Sequence, residues 1–166
     1  MKRKNWAAKV LTALIVTIGT ACTGGDDTPS WQVSGDQVPM FEPDPLFFSV
    51  LPNQWVSGQV GGLAVDSHDN IWVFQRPGTI PDGERGASLD PPRAVCCYPA
   101  PSVMQFDANG QFVQAWGGPG EGYEWFNNNH GIHVDSEDNV WLSGSGTPDN
   151  HILKFTSSGE FLMQIG

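Results

Sequence analysis

The chain is 166 residues long with 8 Lys+Arg against 18 Asp+Glu, a formal net charge of −10; from Cys22 onward only Arg76, Arg85, Arg93 and Lys154 (4 basic residues) stand against all 18 acids, a balance of −14. Such a surface repels phosphate backbones and excludes nucleic acid as a partner. Gly 20 and Pro 13 beside 16% charged residues exclude a helical bundle, and 11% aromatic residues in period-2 segments exclude disorder, which leaves a turn-rich all-β protein.

The other basic residues, Lys2, Arg3, Lys4 and Lys9, open the chain ahead of an apolar run from Val10 to Ala21. That run falls short of the roughly 20 residues that span a bilayer, so residues 1–21 read as an export signal. Cys22 directly follows Gly19-Thr20-Ala21, which resembles the lipobox of bacterial lipoproteins, where the thiol is acylated and becomes the mature N-terminus. Gly19 departs from that pattern, which prefers a large apolar residue there. The resemblance implies a protein of the bacterial cell envelope, anchored to the membrane through Cys22; an ordinary secretory signal cleaved near Ala21 is the other reading. Residues 22–45, rich in Gly, Asp and Pro at their ends, read as a flexible tether. Either way the compartment permits disulfides.

Residues 46–166 carry an internal repeat. Ala64–Val73 aligns with His133–Leu142 at an offset of 69, and Val103–Gly117 aligns with Ile152–Gly166 at an offset of 49. Each copy holds four short strand signals. An Asp/Asn-rich turn joins the first two, and a turn closing on Gly110 or Gly159 joins the last two. Four antiparallel strands in about 45 residues make a propeller blade. The expected fold is therefore all-β, with two four-stranded antiparallel blades whose first strands, near residues 61–66 and 131–135, run side by side. The offsets differ because the first copy carries an insertion between its second and third strands. That insertion, Pro77 to Ala100, holds five prolines and three glycines without periodicity, so a structureless, functional loop is expected.

Asn150-His151-Ile152 followed by Lys154-Phe155 resembles the signature of NHL-repeat propellers, and the resemblance covers residues 46 to 166. A narrower one rests on Gly62-Leu63-Ala64-Val65-Asp66, Trp72–Arg76 and His130-Gly131-Ile132-His133-Val134-Asp135, which are similar to the lyase half of peptide-amidating enzymes. That lyase, peptidyl-α-hydroxyglycine α-amidating lyase, is a six-bladed propeller with zinc and calcium on its axis. The resemblance implies Arg76 as an active-site arginine, His130 as the first of three zinc-binding histidines, and Leu63 and Ile132 as residues whose backbone carbonyls hold calcium. It also implies a complete chain of six blades. Two blades cannot close a propeller, so the expectation is an N-terminal part of a longer protein that holds a third of the zinc set and is inactive by itself.

The residue types suit those roles. A strand-opening imidazole is a common zinc ligand, and a fixed guanidinium can clamp a carboxylate through two parallel hydrogen bonds. Arg76 ends a second strand and His130 begins a first, so both are expected at one open end of the channel, under the Pro77–Ala100 loop. His68 and His151 read as structural. His133, three residues past His130, is expected on the opposite strand face. Trp72, Trp116 and Trp141 are expected to pack between blades. Cys96 and Cys97 leave three pairings open (with each other, not at all, or with cysteines elsewhere), the last being preferred. The function expected is lyase-like, with zinc polarising a carbinolamide as an amide and glyoxylate are released. The alternative is a non-catalytic envelope propeller that binds a peptide, protein or glycan. A pyrroloquinoline-quinone or sugar dehydrogenase is disfavoured, because no residues match such a cofactor pocket.

Overall fold

The computed structural model describes residues 41–166. The expected export signal, Cys22 and the tether as far as residue 40 lie outside the described residues. Two four-stranded antiparallel sheets dominate the rest. The first is ordered β2 (Gln59–Val65), β3 (Ile71–Arg76), β5 (Val103–Phe106), β6 (Phe112–Trp116). The second is a meander of β7 (Asn129–Val134), β8 (Val140–Gly144), β9 (Ile152–Phe155) and β10 (Phe161–Ile165). The protein is all-β, as its turns and alternation predict, and the repeat offsets map each strand of one sheet onto its counterpart in the other.

The turns explain why these residues form hairpins. The Asp66 carboxylate accepts the backbone N–H groups of His68 and Asn70 at 2.9 Å each, while Asp69 takes a left-handed φ of 62°. Asp135 does the same for Glu137 and Asn139 at 3.0 and 2.9 Å, with Asp138 at φ 59°. Each aspartate also accepts a tryptophan indole N–H at 2.9 Å, from Trp72 or Trp141, so turn and following strand are pinned together. These are self-contained turn motifs built from Asp side chains.

β2 and β7 lie side by side, as expected. A β-carbon on Gly61 would collide with the backbone of Asn129 and His130, and one on Gly62 with His130 and Ile132. The main core sits between the sheets, where Trp72, Phe74 and Val103 of the first meet Val140, Leu142, Leu153 and Phe155 of the second. Tyr123, Trp125 and Phe126, from the loop that joins the sheets, fill the same layer. Trp116 packs there too, but Trp141 does not. It lies on the outer face of the second sheet, beneath the Lys154 ammonium at 4.6 Å, which corrects the expectation for that residue.

The opposite face of the first sheet is covered by the segment preceding β2. Leu51 and Trp55 pack on Val73, Met104 and Phe106, and Phe48 stacks on Phe106 with ring centroids 4.7 Å apart. The insertion is not structureless. Two single 3-10 turns, Pro77–Thr79 and Gly86–Ser88, precede a two-residue strand, β4 (Tyr98–Pro99), which pairs in parallel with β1 (Trp55–Val56). Cys96 and Cys97 are joined to each other, which overturns the preference for partners elsewhere. Backbone groups explain the order: Ala87 N donates to Cys96 O, Arg93 N to Gly86 O, and Tyr98 N to Gln54 O.

Candidate functional site

A cavity of about 680 Å³ opens at the end of the sheets where β3 stops and β7 starts. Both roots of the insertion line it (Pro77–Thr79 and Pro99–Ser102), together with Trp55 and the Gly117–Pro119 and Trp125–Asn129 parts of the joining loop. Its size is that of an ordinary small-molecule site. Of all its lining residues, Arg76 alone is charged.

The end of β3 is held tightly. Gln75 is wholly buried, and its amide donates to Ala100 O and Pro101 O at 2.8 and 3.0 Å while accepting from Gly58 N at 2.8 Å. The Thr79 hydroxyl donates to Arg76 O at 2.8 Å and accepts from Gln59 N at 2.9 Å. Across the gap between sheets, Arg76 Nε donates to Asn129 O at 2.7 Å, and Asn129 Nδ2 donates back to Gln75 O at 2.7 Å. The terminal nitrogens of Arg76 have no hydrogen-bond or ion-pair partner among the described residues. This half-buried guanidinium has free terminal donors in a cavity lined by no acid, an arrangement able to pair with an anion.

The cavity rim is fixed by Asp149. It accepts the backbone N–H groups of Asn127, Asn128 and Gly146 at 2.8, 2.9 and 2.8 Å. Burial pushes its pKa up, but these three N–H groups and the nearby His151 outweigh that, leaving the carboxyl below its ordinary value. His151 stacks on Phe126 with centroids 4.8 Å apart, and its Nε2 lies 2.8 Å from Glu124 O, in keeping with a structural role.

His130 lies beside this cavity, one residue past Asn129, but is not among its lining residues. It is exposed at a bulge, because β7 shifts register against β8 between Asn129 and Gly131. The equivalent bulge in the first sheet falls between Val60 and Gly62, at Gly61. A bulge breaks strict alternation, so the spacing of three does not fix the face of His133, which pairs with Trp141 and is also exposed. Leu63 and Ile132 occupy equivalent positions opposite Val73 and Leu142.

Zinc wants three or four ligands, and His130 joins no group of three His, Cys, Asp or Glu among the described residues. The donors among the described residues therefore do not complete a zinc site at His130. The one such group is elsewhere, where the two Asp-rich turns meet: Asp66, His68 and Asp138. Ser67 Oγ donates to Asp138 at 3.1 Å, and His68 Nδ1 lies 3.6 Å from the same carboxylate. Asp66 is already committed to His68 N, Asn70 and Trp72. Burial raises its pKa, and those hydrogen bonds more than reverse the effect. The cluster reads as a clasp between turns.

Sequence reading picked out Arg76 and His130 but missed Gln75, Asn129 and Asp149. A signal was available in Asn127-Asn128-Asn129, a run of amides just before a strand opens on His130. No protein-family model matches the chain, and no curated protein matches it.

Proposed function

We propose that this chain is part of an exported NHL-type propeller, resembling peptidyl-α-hydroxyglycine α-amidating lyases, whose cavity binds a small carboxylate through Arg76. The observation that carries the reading is the unpaired guanidinium as sole charge in the cavity. Its fork suits a bidentate carboxylate, and Trp125 and Phe126 offer an apolar wall for the remainder of the ligand. The blade reading is supported by two four-stranded antiparallel sheets that share one repeat and pack face to face. Envelope anchoring through Cys22 belongs to the same proposal; labelled palmitate should enter the parent and not Cys22→Ser.

The direct test is titration with hippurate, an N-acylated glycine, followed through the fluorescence of the cavity tryptophans. A saturable response to hippurate, absent with neutral hippuramide and absent in Arg76→Gln, is expected. Equal responses to both compounds would refute the carboxylate clamp.

The incomplete ligand set at His130 favours a second reading, a non-catalytic propeller that binds a carboxylate-bearing peptide or glycan. Metal analysis separates the two. In a protein that carries all six blades, stoichiometric zinc lost in His130→Ala would support the lyase-like reading, and zinc-free protein that still binds hippurate would support the binder.

A further inference from the structure

We infer that Asn129 and Gln75 are positioning residues that present the Arg76 guanidinium to the cavity as a preset, unneutralised fork. This rests on the reading of Arg76 as a carboxylate clamp. The basis is a reciprocal link between the two sheets. The Arg76 side chain bonds the backbone of Asn129, and the Asn129 side chain bonds the backbone of Gln75, both at 2.7 Å. Asn129 is 5% exposed and Gln75 0%, so the bond between them is shielded from water, while the bond from Arg76 is partly buried. Gln75 extends the link to the root of the insertion through Ala100 O and Pro101 O, and to the approach to β2 through Gly58 N.

The chemistry of the acceptor matters. A guanidinium has five N–H donors in a rigid plane, and fixing Nε–H sets the plane while leaving the terminal donors free. An aspartate or glutamate could orient the group equally well, but it would cancel the charge that an anionic ligand needs. In a chain with 18 acids, the orienting partner of Arg76 is a neutral carbonyl. Without the Asn129 side chain, the Asn129 carbonyl is no longer tied to β3, and the long Arg76 side chain is free to swing toward surface carboxylates. The link therefore serves orientation and charge together.

The test has two readouts on the full chain. First, proton exchange at Arg76 Nε–H is followed by ¹⁵N NMR, with the signal identified by its loss in Arg76→Lys. The parent signal should be protected, and Asn129→Ala should speed its exchange by about tenfold or more. Second, hippurate affinity should fall about tenfold in Asn129→Ala, and the same change made in an Arg76→Lys background, which keeps the charge but lacks Nε–H, should have little further effect. Asn129→Ser, which stays polar but is too short to reach Gln75 O, should lose the same protection and affinity; it serves if the alanine variant fails to fold. Unchanged Nε–H exchange in the variants would overturn the positioning role. So would an affinity loss of equal size with and without Arg76, which would mark Asn129 as merely structural. If the parent itself ignores hippurate, the carboxylate reading falls and the exchange data alone decide whether Asn129 holds Arg76.

Discussion

The two sheets are built on one pattern and differ in what covers them. In the first, the face that carries Trp72 and Val103 is sealed against the second sheet, and both residues are 0% exposed. In the second, the same face carries Trp141 and Ile152, and nothing among the described residues seals it; Ile152 is 42% and Ile165 52% exposed. Substitution follows coverage only in part. Phe74 gives way to Ser143 and Gln105 to Lys154, whose ammonium pairs with Asp135 at 3.1 Å and lies over Trp141, whereas Ile152 and Ile165 remain apolar and Met163 stands where the first sheet has Gln114. Coverage, and not the repeated pattern alone, decides which of the equivalent positions are buried.

The comparison is broken most severely by truncating the equivalent tryptophans. Trp72→Ala opens a hole in the sealed layer and should cost about 3–5 kcal/mol. Trp141→Ala should cost about 1 kcal/mol, mostly through its indole bond to Asp135. Urea unfolding of the two variants checks the difference, and equal losses would mean the second face is covered after all.

The equivalent bulge positions sharpen it further. Gly61 abuts the backbone of Asn129 and His130, so Gly61→Ala should destabilise by about 1–3 kcal/mol. His130 occupies the same bulge on a free surface, and His130→Ala should change stability by less than about 0.5 kcal/mol. Thermal melts of the pair decide.

A smaller effect separates the turn aspartates. The Asp135 carboxyl lies well below the ordinary 3.8, chiefly because the Trp141 indole donates to it; Asp66 is also lowered, burial opposing its hydrogen bonds. A depressed folded pKa contributes stability that is present above the unfolded value and lost as pH falls through the folded one. Stability should therefore decline below about pH 4. Asp135→Asn should flatten that decline more than Asp66→Asn, as read from urea midpoints across pH. The reverse order would show that Lys154 and Trp141 do not hold Asp135 as described.

Much of this fold was legible because its signals are local. The aspartate turns, the glycines at 110 and 159 and the alternation of Leu63/Val65 with Ile132/Val134 each act over a few residues, and a repeat states them twice. Arg76 and Asn129 meet across 53 positions, and Gln75 reaches Ala100 across 25, through contacts that no local pattern encodes. The insertion misled because its order comes from scattered backbone bonds without periodicity, Ala87 to Cys96 and Arg93 to Gly86 within it and Tyr98 to Gln54 outside it. Trp141 misled because equivalence in sequence was taken for equivalence in environment.

The central claim is that Arg76 is a preset receptor for a carboxylate. Its most direct test is a crystal structure of the full chain soaked in hippurate. The account predicts the ligand's carboxylate against the terminal nitrogens of Arg76, with Nε still on the Asn129 carbonyl and the benzoyl group along Trp125. A cavity left empty at saturating hippurate, or Arg76 turned onto a surface acid, would contradict it.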